Sequence, residues 1–504
     1  MAATNGKVVE EEKKVARKVD VEFHGEKVVL PEDMSYEEAL EAIARQRDEE
    51  SQVININEVI NAFPMDGVIA FQKALKEIYG WANLKPTEGF FGKTPPTLVA
   101  VDIAYGETIQ VPWGSVTVPK IDGSLSTGWG TNEKGVPVFR LHASIKKKDQ
   151  KAFTALVLKI REILARESIY RGQAIKLNFR DTDGERQAEF SPSFAPKFID
   201  MTKHAGQKIV YPAVTKALIQ SNLLNPVIHA EKCRKHGIPL KRGVLLEGRY
   251  GTGKTLTAHQ LAQTCIDHNW TFLYLEDVRD LDMAVAFAKL YSPCVLFAED
   301  VDRTMPNGPR TPEIDKVLNT LDGIESKHLD VLTVLTTNHV GNIHPGFLRP
   351  GRIDSVIQIM PPDDAAMVEL IRYYGGDLIE GTDEEFTKSL KGLRSTNAAF
   401  VREAVEKAKL SAISSEDLKI TPHDIEVAVA SMKTHLALVC PDAGTDAFRI
   451  EEGDEVIDPA RMAVELLTDQ FAGALLHKIA NPKTLEKIII KTMKPRRGGN
   501  PSNN

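Results

Sequence analysis

The chain has 504 residues, enough for two or three domains, with 42% hydrophobic and 26% charged residues, as in ordinary globular proteins. Its net charge of −7 excludes an overall electrostatic attraction to nucleic acid or to an anionic membrane. The N-terminal residues lack the apolar core of a secretory signal, no apolar run approaches the roughly 20 residues of a membrane span, and the four cysteines show no metal-ligand spacing, so we expect a cytoplasmic protein without a membrane partner.

The first 195 residues mix helical and strand patterns. Residues 1–20 are charged and lack periodicity, which predicts a mobile tail. Ser35 and Glu38 form a capping box that predicts a helix over residues 36–47, and a second helix is predicted over residues 68–79. Strands are predicted over residues 97–104, 108–111, 115–118, 139–145 and 174–179, with a helix over residues 153–164. We therefore predict an α+β N-terminal domain over residues 21–195.

The rest of the chain changes pattern twice. Residues 196–360 alternate apolar strands with helices, which predicts an α/β domain with a parallel sheet. Its strands are predicted over residues 243–246, 271–275, 294–298, 331–336 and 355–359. Residues 361–440 are helical in pattern, and residues 441–504 form a C-terminal extension with a helix over residues 458–479 and a disordered basic tail from residue 494.

A glycine-rich loop follows the first strand of the α/β region and precedes a helix predicted over residues 256–266. Strand, loop and helix in this order are the context of a phosphate-binding loop, in which glycines let backbone N–H groups turn towards phosphate oxygens. The lysine is placed to reach the β- and γ-phosphates, and the last hydroxyl to ligate Mg²⁺. The loop consists of Gly248, Arg249, Tyr250, Gly251, Thr252, Gly253, Lys254 and Thr255.

A second apolar strand, residues 294–298, ends in Glu299 and Asp300. An apolar strand that delivers carboxylates at its end is the second half of a nucleotide site. One carboxylate holds the hydrated Mg²⁺, and its neighbour orients or deprotonates the attacking water. Together with Thr255, Glu299 and Asp300 are therefore the predicted metal-site residues.

These segments, in this order, resemble the AAA ATPases of the AAA+ superfamily over residues 205–435. The matching segments also include the lead-in at residues 236–246, a helix at 318–324, a strand at 331–337 that ends before Asn338, and residues 347–354 with Arg349 and Arg352. The resemblance implies a P-loop α/β fold in which residues 361–440 are a helical lid.

The resemblance also implies roles for particular side chains. Asn338 would hydrogen-bond the attacking water or the γ-phosphate. Arg349 and Arg352 would reach the nucleotide of a neighbouring subunit, which implies a ring, most often of six. Leu256, directly after the phosphate loop, and Ala398, in the lid where the family has an aspartate, would lie near the nucleotide.

Three differences from the family pattern matter. Arg249 and Tyr250 replace two prolines in the phosphate loop, which makes its backbone less stiff. The acidic pair is reversed: in the family register Glu299 is the metal-side acid and Asp300 orients water, whereas an alternative register makes Asp300 the metal-side acid. Residues 276–282 are acidic and lack the aromatic residue with which polypeptide-threading relatives contact substrate.

We therefore predict an Mg-dependent ATPase that forms a ring of identical subunits and remodels a protein or a protein complex, with the N-terminal domain choosing the target. Two alternatives stay open. One is a ring that loads or moves on nucleic acid, against which the net charge argues. The other is a nucleotide-gated scaffold with slow turnover, which the reversed acidic pair suggests.

Overall fold

The computed structural model describes residues 18–432, apart from gaps at 24–25, 32–33, 81–86, 90–91, 95–96, 181–182, 184, 187–194, 205–206, 323–328, 395 and 414–417. Residues 1–17 of the predicted tail and the whole C-terminal extension lie outside the described residues. The chain divides into two compact units, one with residues 1–209 and 218–359, the other with residues 210–217 and those from 360 onward. Each unit is described by itself.

The N-terminal part of the first unit is an antiparallel sheet of order β3-β10-β9-β8, with three separate two-stranded pairs. Its elements are β1 (Lys18–Phe23), β2 (Glu26–Pro31), α1 (Tyr36–Ser51), β3 (Val53–Ile60), α2 (Pro64–Tyr79), β4 (Thr87–Gly89), β5 (Gly92–Thr94), β6 (Thr97–Ala104), β7 (Glu107–Trp113), β8 (Ser115–Val116), β9 (Gly123–Thr131), β10 (Pro137–Lys146) and α3 (Gln150–Glu167). The alternation of apolar residues in β10 buries Phe139, Leu141, Ala143 and Ile145, as a half-buried strand requires.

Two helix starts in this region follow from local chemistry. The predicted capping box is present, since Ser35 and Glu38 each bond the other's backbone N–H at the start of α1. Helix α2 begins at Pro64, four residues before the predicted start, because proline is accepted in the first turn. Gly67 therefore lies inside the helix, where a Cβ would come within 2.3 Å of the Phe139 ring.

The second part of the first unit is a seven-stranded sheet of order β12-β11-β14-β15-β16-β13-β17, parallel except for β12. Its elements are β11 (Ala174–Leu177), β12 (Lys197–Phe198), α4 (Ala213–Ile219), α5 (Asn225–Ile228), α6 (Ala230–Lys235), β13 (Arg242–Glu247), α7 (Lys254–Asp267), β14 (Thr271–Leu275), α8 (Leu281–Tyr291), β15 (Cys294–Ala298), α9 (Val301–Thr304), α10 (Pro312–Asp322), β16 (Val331–Thr337) and β17 (Ser355–Gln358). The first residues of α4, up to Ala217, belong to the second unit.

Strand β11 corrects one sequence-based assignment. We expected it within the N-terminal α+β domain, but it pairs in parallel with β14, with Ala174 opposite Phe272 and Leu177 opposite Leu275. A four-residue apolar run carries no periodicity that shows which sheet it joins. The predicted boundary at residue 195 therefore does not coincide with a break between two sheets.

One hydrophobic core runs through both parts of the first unit. The ring of Tyr170 packs against Phe63 from the N-terminal part and against Tyr291 from α8, with ring centroids 5.9 and 5.6 Å apart. Asp66 is buried beside this cluster and accepts hydrogen bonds from Ser168 Oγ at 2.7 Å and Ile169 N at 3.0 Å. The N-terminal part is thus joined to the sheet by shared packing.

The second unit is helical over its described residues. Each of its four helices starts at a side-chain cap, which satisfies the first N–H groups, and Phe386 and Val401 are fully buried in its own core. The helices are α11 (Asp364–Gly375), α12 (Asp383–Ser389), α13 (Ala398–Ala412) and α14 (Pro422–Ser431). The α/β sheet and this helical unit agree with the predicted fold class of a P-loop domain and lid. No helix in the described part of the chain has the length and apolar character to cross a membrane.

Candidate nucleotide site

Three neighbouring strands deliver the predicted site residues to one edge of the sheet. Strands β13, β16 and β15 are parallel and adjacent, so their carboxyl ends coincide. The phosphate loop follows β13, Glu299 follows β15 and Asn338 follows β16. Ligands bind at such a carboxyl edge in open α/β sheets.

The phosphate loop has the backbone that the motif requires. Gly251 and Gly253 have φ angles of 76° and 104°, which disfavour residues with a Cβ. At Gly248 an added Cβ would lie 2.7 Å from Thr252 Oγ1. Helix α7 begins at Lys254, so the free N–H groups of its first turn face the loop. The predicted order of strand, glycine-rich loop and helix is present.

The fold brings Lys254 and Asn338 into contact. Lys254 Nζ donates to Asn338 Oδ1 at 2.9 Å and also bonds the carbonyl groups of Gly248 and Arg249. Burial lowers the pKa of Lys254, while the neighbouring carboxylates, first among them Asp300, act in the opposite direction. The ammonium group is thus held by acceptors at the mouth of the loop.

Glu299 lies between two hydroxyl groups. Thr255 Oγ1 donates to Glu299 Oε1 at 2.9 Å, and Tyr274 donates from its phenol to Oε2 at 2.9 Å. Burial and the charge of Glu299 raise the pKa of Tyr274, which keeps the phenol protonated as a donor. We did not predict Tyr274 from the sequence. The available signal was its position near the end of β14, the neighbour of β15.

Asp300 faces a different set of groups. Its Oδ1 accepts from Asn338 Nδ2 at 3.2 Å, and its Oδ2 pairs with Arg303 Nε at 3.2 Å. Its backbone has a φ of 53°, in the left-handed region, and its N–H donates to Thr336 Oγ1 at 3.1 Å. Arg303 in turn donates to the hydroxyl of Tyr250 at 3.1 Å, so the phosphate loop and the acidic pair are linked.

The two predicted arginines lie in different environments. Arg349 is exposed and borders an open cavity. Arg352 is only 8% exposed, and its guanidinium donates from Nε to Asp322 Oδ2 at 2.7 Å and from Nη1 to the Gly346 carbonyl at 2.7 Å. The Arg352 side chain is thus engaged within its own chain, and its predicted contact with a neighbouring subunit stays a prediction.

The acidic segment after β14 is also engaged within the chain. Asp280 is 1% exposed and accepts two hydrogen bonds from Arg180, at 2.7 and 2.9 Å, and one from Arg186 at 2.7 Å. Val278 and Leu281 beside it are buried in the core. The segment after β14 is thus occupied by a folded ion-pair network.

The lid residue predicted near the nucleotide is found at a helix start. Ala398 is the first residue of α13, and the preceding Asn397 caps this helix by accepting from Phe400 N at 3.3 Å. Ala398 belongs to the second unit, so its predicted place near the nucleotide stays a prediction. Leu256 is half-buried in the first turn of α7.

Comparison with known proteins points the same way as the geometry. Residues 244–361 match the family model described as ATPase family associated with various cellular activities (AAA). The chain is 29% identical over 232 residues to the 26S proteasome subunit RPT4 of Saccharomyces cerevisiae, a match that covers 42% of this chain and 52% of that protein. It is 28% identical over 222 residues to the 26S proteasome regulatory subunit 10B of Dictyostelium discoideum, with 40% and 56% covered.

A third relative is the 26S proteasome regulatory subunit 8 homolog of Schizosaccharomyces pombe, at 26% identity over 230 residues, with 41% of this chain and 56% of that protein covered. The chain thus spans little more than half the length of these relatives. The residues that the family model matches include the phosphate loop, the acidic pair, Asn338, Arg349 and Arg352. This chain contains an ATPase domain of the AAA family.

Proposed function

We propose that this chain forms a cytoplasmic ring that binds ATP with Mg²⁺, hydrolyses it and uses the cycle to remodel a protein or a protein complex. One observation carries the proposal. Two hydrogen-bonded groups lie together at the carboxyl edge of the sheet, one joining Lys254, Asn338 and Asp300 and the other joining Thr255 and Glu299. Together they supply the lysine, hydroxyl, carboxylate and amide groups that phosphoryl transfer to water uses.

These site residues divide into a binding part and a reacting part. The N–H groups of the phosphate loop and Lys254 would hold the phosphates, with Lys254 exchanging its contact to Asn338 for a phosphate oxygen. Thr255 and Glu299 lie in contact and present oxygen atoms, the donor type that Mg²⁺ prefers. A bound Mg²⁺ would neutralise charge on the β- and γ-phosphates. This contact supports the register in which Glu299 is the metal-side acid.

Asp300 would orient the attacking water and accept its proton, with Asn338 beside it as a second contact. Both Asp300 oxygens are engaged, one by Asn338 and one by Arg303. These two contacts restrain the carboxylate, and opening one of them would give it more freedom to orient water. Arg303 is the more exposed of the two partners, at 63%, and is the one that we expect to move.

The ring is supported by Arg349. Its side chain is exposed and makes no ion pair with any carboxylate among the described residues. An exposed cation in the arginine segment without such an ion pair fits a role on a neighbour's nucleotide. Six subunits are the expectation from the family. The relatives' names, which place them in a proteasome, support a protein as the target, and we assign its selection to the N-terminal region.

ATP turnover by purified protein tests the enzyme. Wild type should release phosphate in an Mg-dependent manner, and Lys254→Ala and Asp300→Asn should each lose at least about a hundredfold, the scale set by misplacing one catalytic group. Asp300→Asn should still bind ATP. Lys232→Ala, on the exposed face of α6, is the matched control and should keep full activity. Wild-type turnover that survives Lys254→Ala would overturn the proposal.

The ring requires a separate experiment. Lys254→Ala subunits keep Arg349, and Arg349→Ala subunits keep the phosphate loop, so a mixture of the two inactive variants forms some complete sites. Activity that returns on mixing supports action between subunits. If Arg349→Ala alone is fully active, the proposed role of Arg349 is wrong.

A second candidate function has one specific observation in its favour. Both Asp300 oxygens already contact a side chain, which leaves fewer acceptor sites for an attacking water. A nucleotide-gated scaffold would bind ATP tightly and assemble on it, with turnover that is slow and unchanged by Asp300→Asn. Equal rates for wild type and Asp300→Asn would favour this reading over the ATPase.

A further inference from the structure

An open cavity of about 700 Å³ lies beside Arg349. Two loops enclose it, one after α9 and one in the arginine segment. The residues that line it are Asn307, Gly308, Arg310, His344, Pro345, Gly346 and Arg349. These residues include two arginines and a histidine and no carboxylate, and none belongs to the chain's own phosphate loop. The cavity is therefore a cationic site separate from the loop that holds this chain's nucleotide.

The loop that carries Arg310 is held against the arginine segment. Asn307 N donates to the Asn342 carbonyl at 2.7 Å, and Asn307 Nδ2 donates to the Gly341 carbonyl at 3.2 Å. An isolated β-bridge joins Pro306 to Ile343. These contacts fix the loop that bears Arg310 next to the start of the segment that bears Arg349.

Three side chains supply positive charge or N–H donors to the cavity. Arg310 is half exposed, and its contact with Asp315, at 3.5 Å between two solvated groups, is a weak restraint. His344 Nδ1 accepts from Gly346 N at 3.1 Å, so the neutral ring carries its proton on Nε2 as a donor. With Arg349, these groups suit an anion that has several oxygen atoms.

The identity of the anion follows from the position of Arg349, and this step rests on the proposed function. If Arg349 meets the nucleotide of a second copy of this chain, the cavity that it borders meets the same nucleotide. The family pattern has two arginines in this segment, but the Arg352 guanidinium is bound to Asp322 and does not line the cavity. We infer that Arg310 is the second cation presented, together with Arg349, to the phosphate groups of a nucleotide held by a neighbouring copy.

Arg310→Ala in the full chain tests the inference. We expect the turnover number to fall by about 10- to 100-fold, less than for a principal arginine finger, which contributes about 10³-fold or more. The affinity of the chain's own site for a fluorescent ATP analogue should stay unchanged. Arg310→Lys should recover part of the rate, because it keeps the charge but not the fork of donors. Asp315→Asn, which frees Arg310 without removing it, is the matched control and should keep the wild-type rate.

Mixing subunits shows whether Arg310 acts on a neighbour. Arg310→Ala subunits combined with Lys254→Ala subunits should regain activity, because the second variant supplies Arg310 to the intact phosphate loop of the first. A full rate for Arg310→Ala, or no recovery on mixing, would overturn the inference. If recovery occurs with Arg349→Ala but not with Arg310→Ala, the ring stands and only the role of Arg310 fails. A thermal unfolding midpoint equal to wild type confirms that Arg310→Ala is folded.

Discussion

Tyr274 and Glu299 are joined by a hydrogen bond of 2.9 Å from the phenol to Oε2, across the ends of two neighbouring strands. The other oxygen of the same carboxylate accepts from Thr255. Glutamate has one more rotatable bond than the aspartate that the family places here, and contacts on both oxygens restrict that added freedom. Tyr274 thereby holds the longer acid in a defined position.

The first prediction concerns this contact. Tyr274→Phe keeps the ring but removes the donor, so the Mg²⁺ concentration for half-maximal activity should rise by about 10- to 100-fold, the usual effect of losing a partner that orients a metal ligand. ATP affinity without Mg²⁺ should not change. Mg²⁺ titrations of ATP-analogue binding and of turnover measure both. Tyr105→Phe, at an exposed turn, is the control. An unchanged Mg²⁺ requirement would show that Tyr274 has no part in positioning Glu299.

The second prediction concerns the restraint on Asp300. Arg303→Gln removes the ion pair to Asp300 Oδ2, and turnover should rise by at most about fivefold, because a contact with such an exposed arginine is weak. Steady-state phosphate release at saturating ATP measures the change. Lys232→Gln controls for the loss of an exposed positive charge. A large loss of activity would instead assign Arg303 a direct role on the nucleotide.

The third prediction separates the two arginines by stability. Arg352→Ala leaves the buried Gly346 carbonyl and the half-exposed Asp322 without their partner and should destabilise the first unit by about 1–3 kcal/mol, since an unsatisfied buried acceptor is costly. Arg349→Ala, at an exposed position, should change stability by less than about 0.5 kcal/mol. Urea unfolding of the two variants provides the comparison. Equal stability would show that the buried pairing of Arg352 contributes little.

The fourth prediction concerns Asp66 and pH. Burial raises the pKa of Asp66 to about 6 from an ordinary value of 3.8, although the hydrogen bonds from Ser168 and Ile169 oppose the rise. Between these two pH values the folded chain holds a proton that the unfolded chain has released. The contribution of Asp66 to stability is therefore complete below about pH 4 and is lost as pH rises through 6, by about 3 kcal/mol in total.

Asp66→Asn should remove this part of the pH dependence, because the amide stays neutral and its oxygen still accepts. The free energy of unfolding of the wild type minus that of the variant, measured from pH 4 to 7.5, should become less favourable to the wild type up to about pH 6 and then level off. Glu41→Gln, at an exposed position in α1, should leave the profile of the wild type unchanged. A difference that does not vary with pH would contradict the assignment to Asp66.

Local patterns in the sequence were sufficient to predict much of the site. The strands 271–275 and 294–298 agree with β14 and β15 to the residue, because both are short apolar runs bounded by polar residues. The glycine spacing of the phosphate loop, the Glu299–Asp300 pair and the strand before Asn338 each lie within one short segment. Such features depend on neighbours along the chain.

Features that depend on distant pairing could not be predicted. Tyr274 reaches Glu299 only because β14 and β15 are adjacent, and no local pattern marks that contact. The arginine segment indicates a role for Arg352, but its partner Asp322 lies 30 positions earlier. The acidic residues after β14 resemble an exposed loop until Arg180, 100 positions before Asp280, is placed beside them.

The buried ion pairs of Asp280 have a mechanical consequence. Helix α8 follows this ion-paired segment, and its Tyr291 packs against Tyr170. The helix leads into β15, and Glu299 directly follows that strand. A displacement that begins at the acidic pair would thus be transmitted to the N-terminal region through α8. We therefore expect the N-terminal part and the sheet to move together, because one hydrophobic core runs through both.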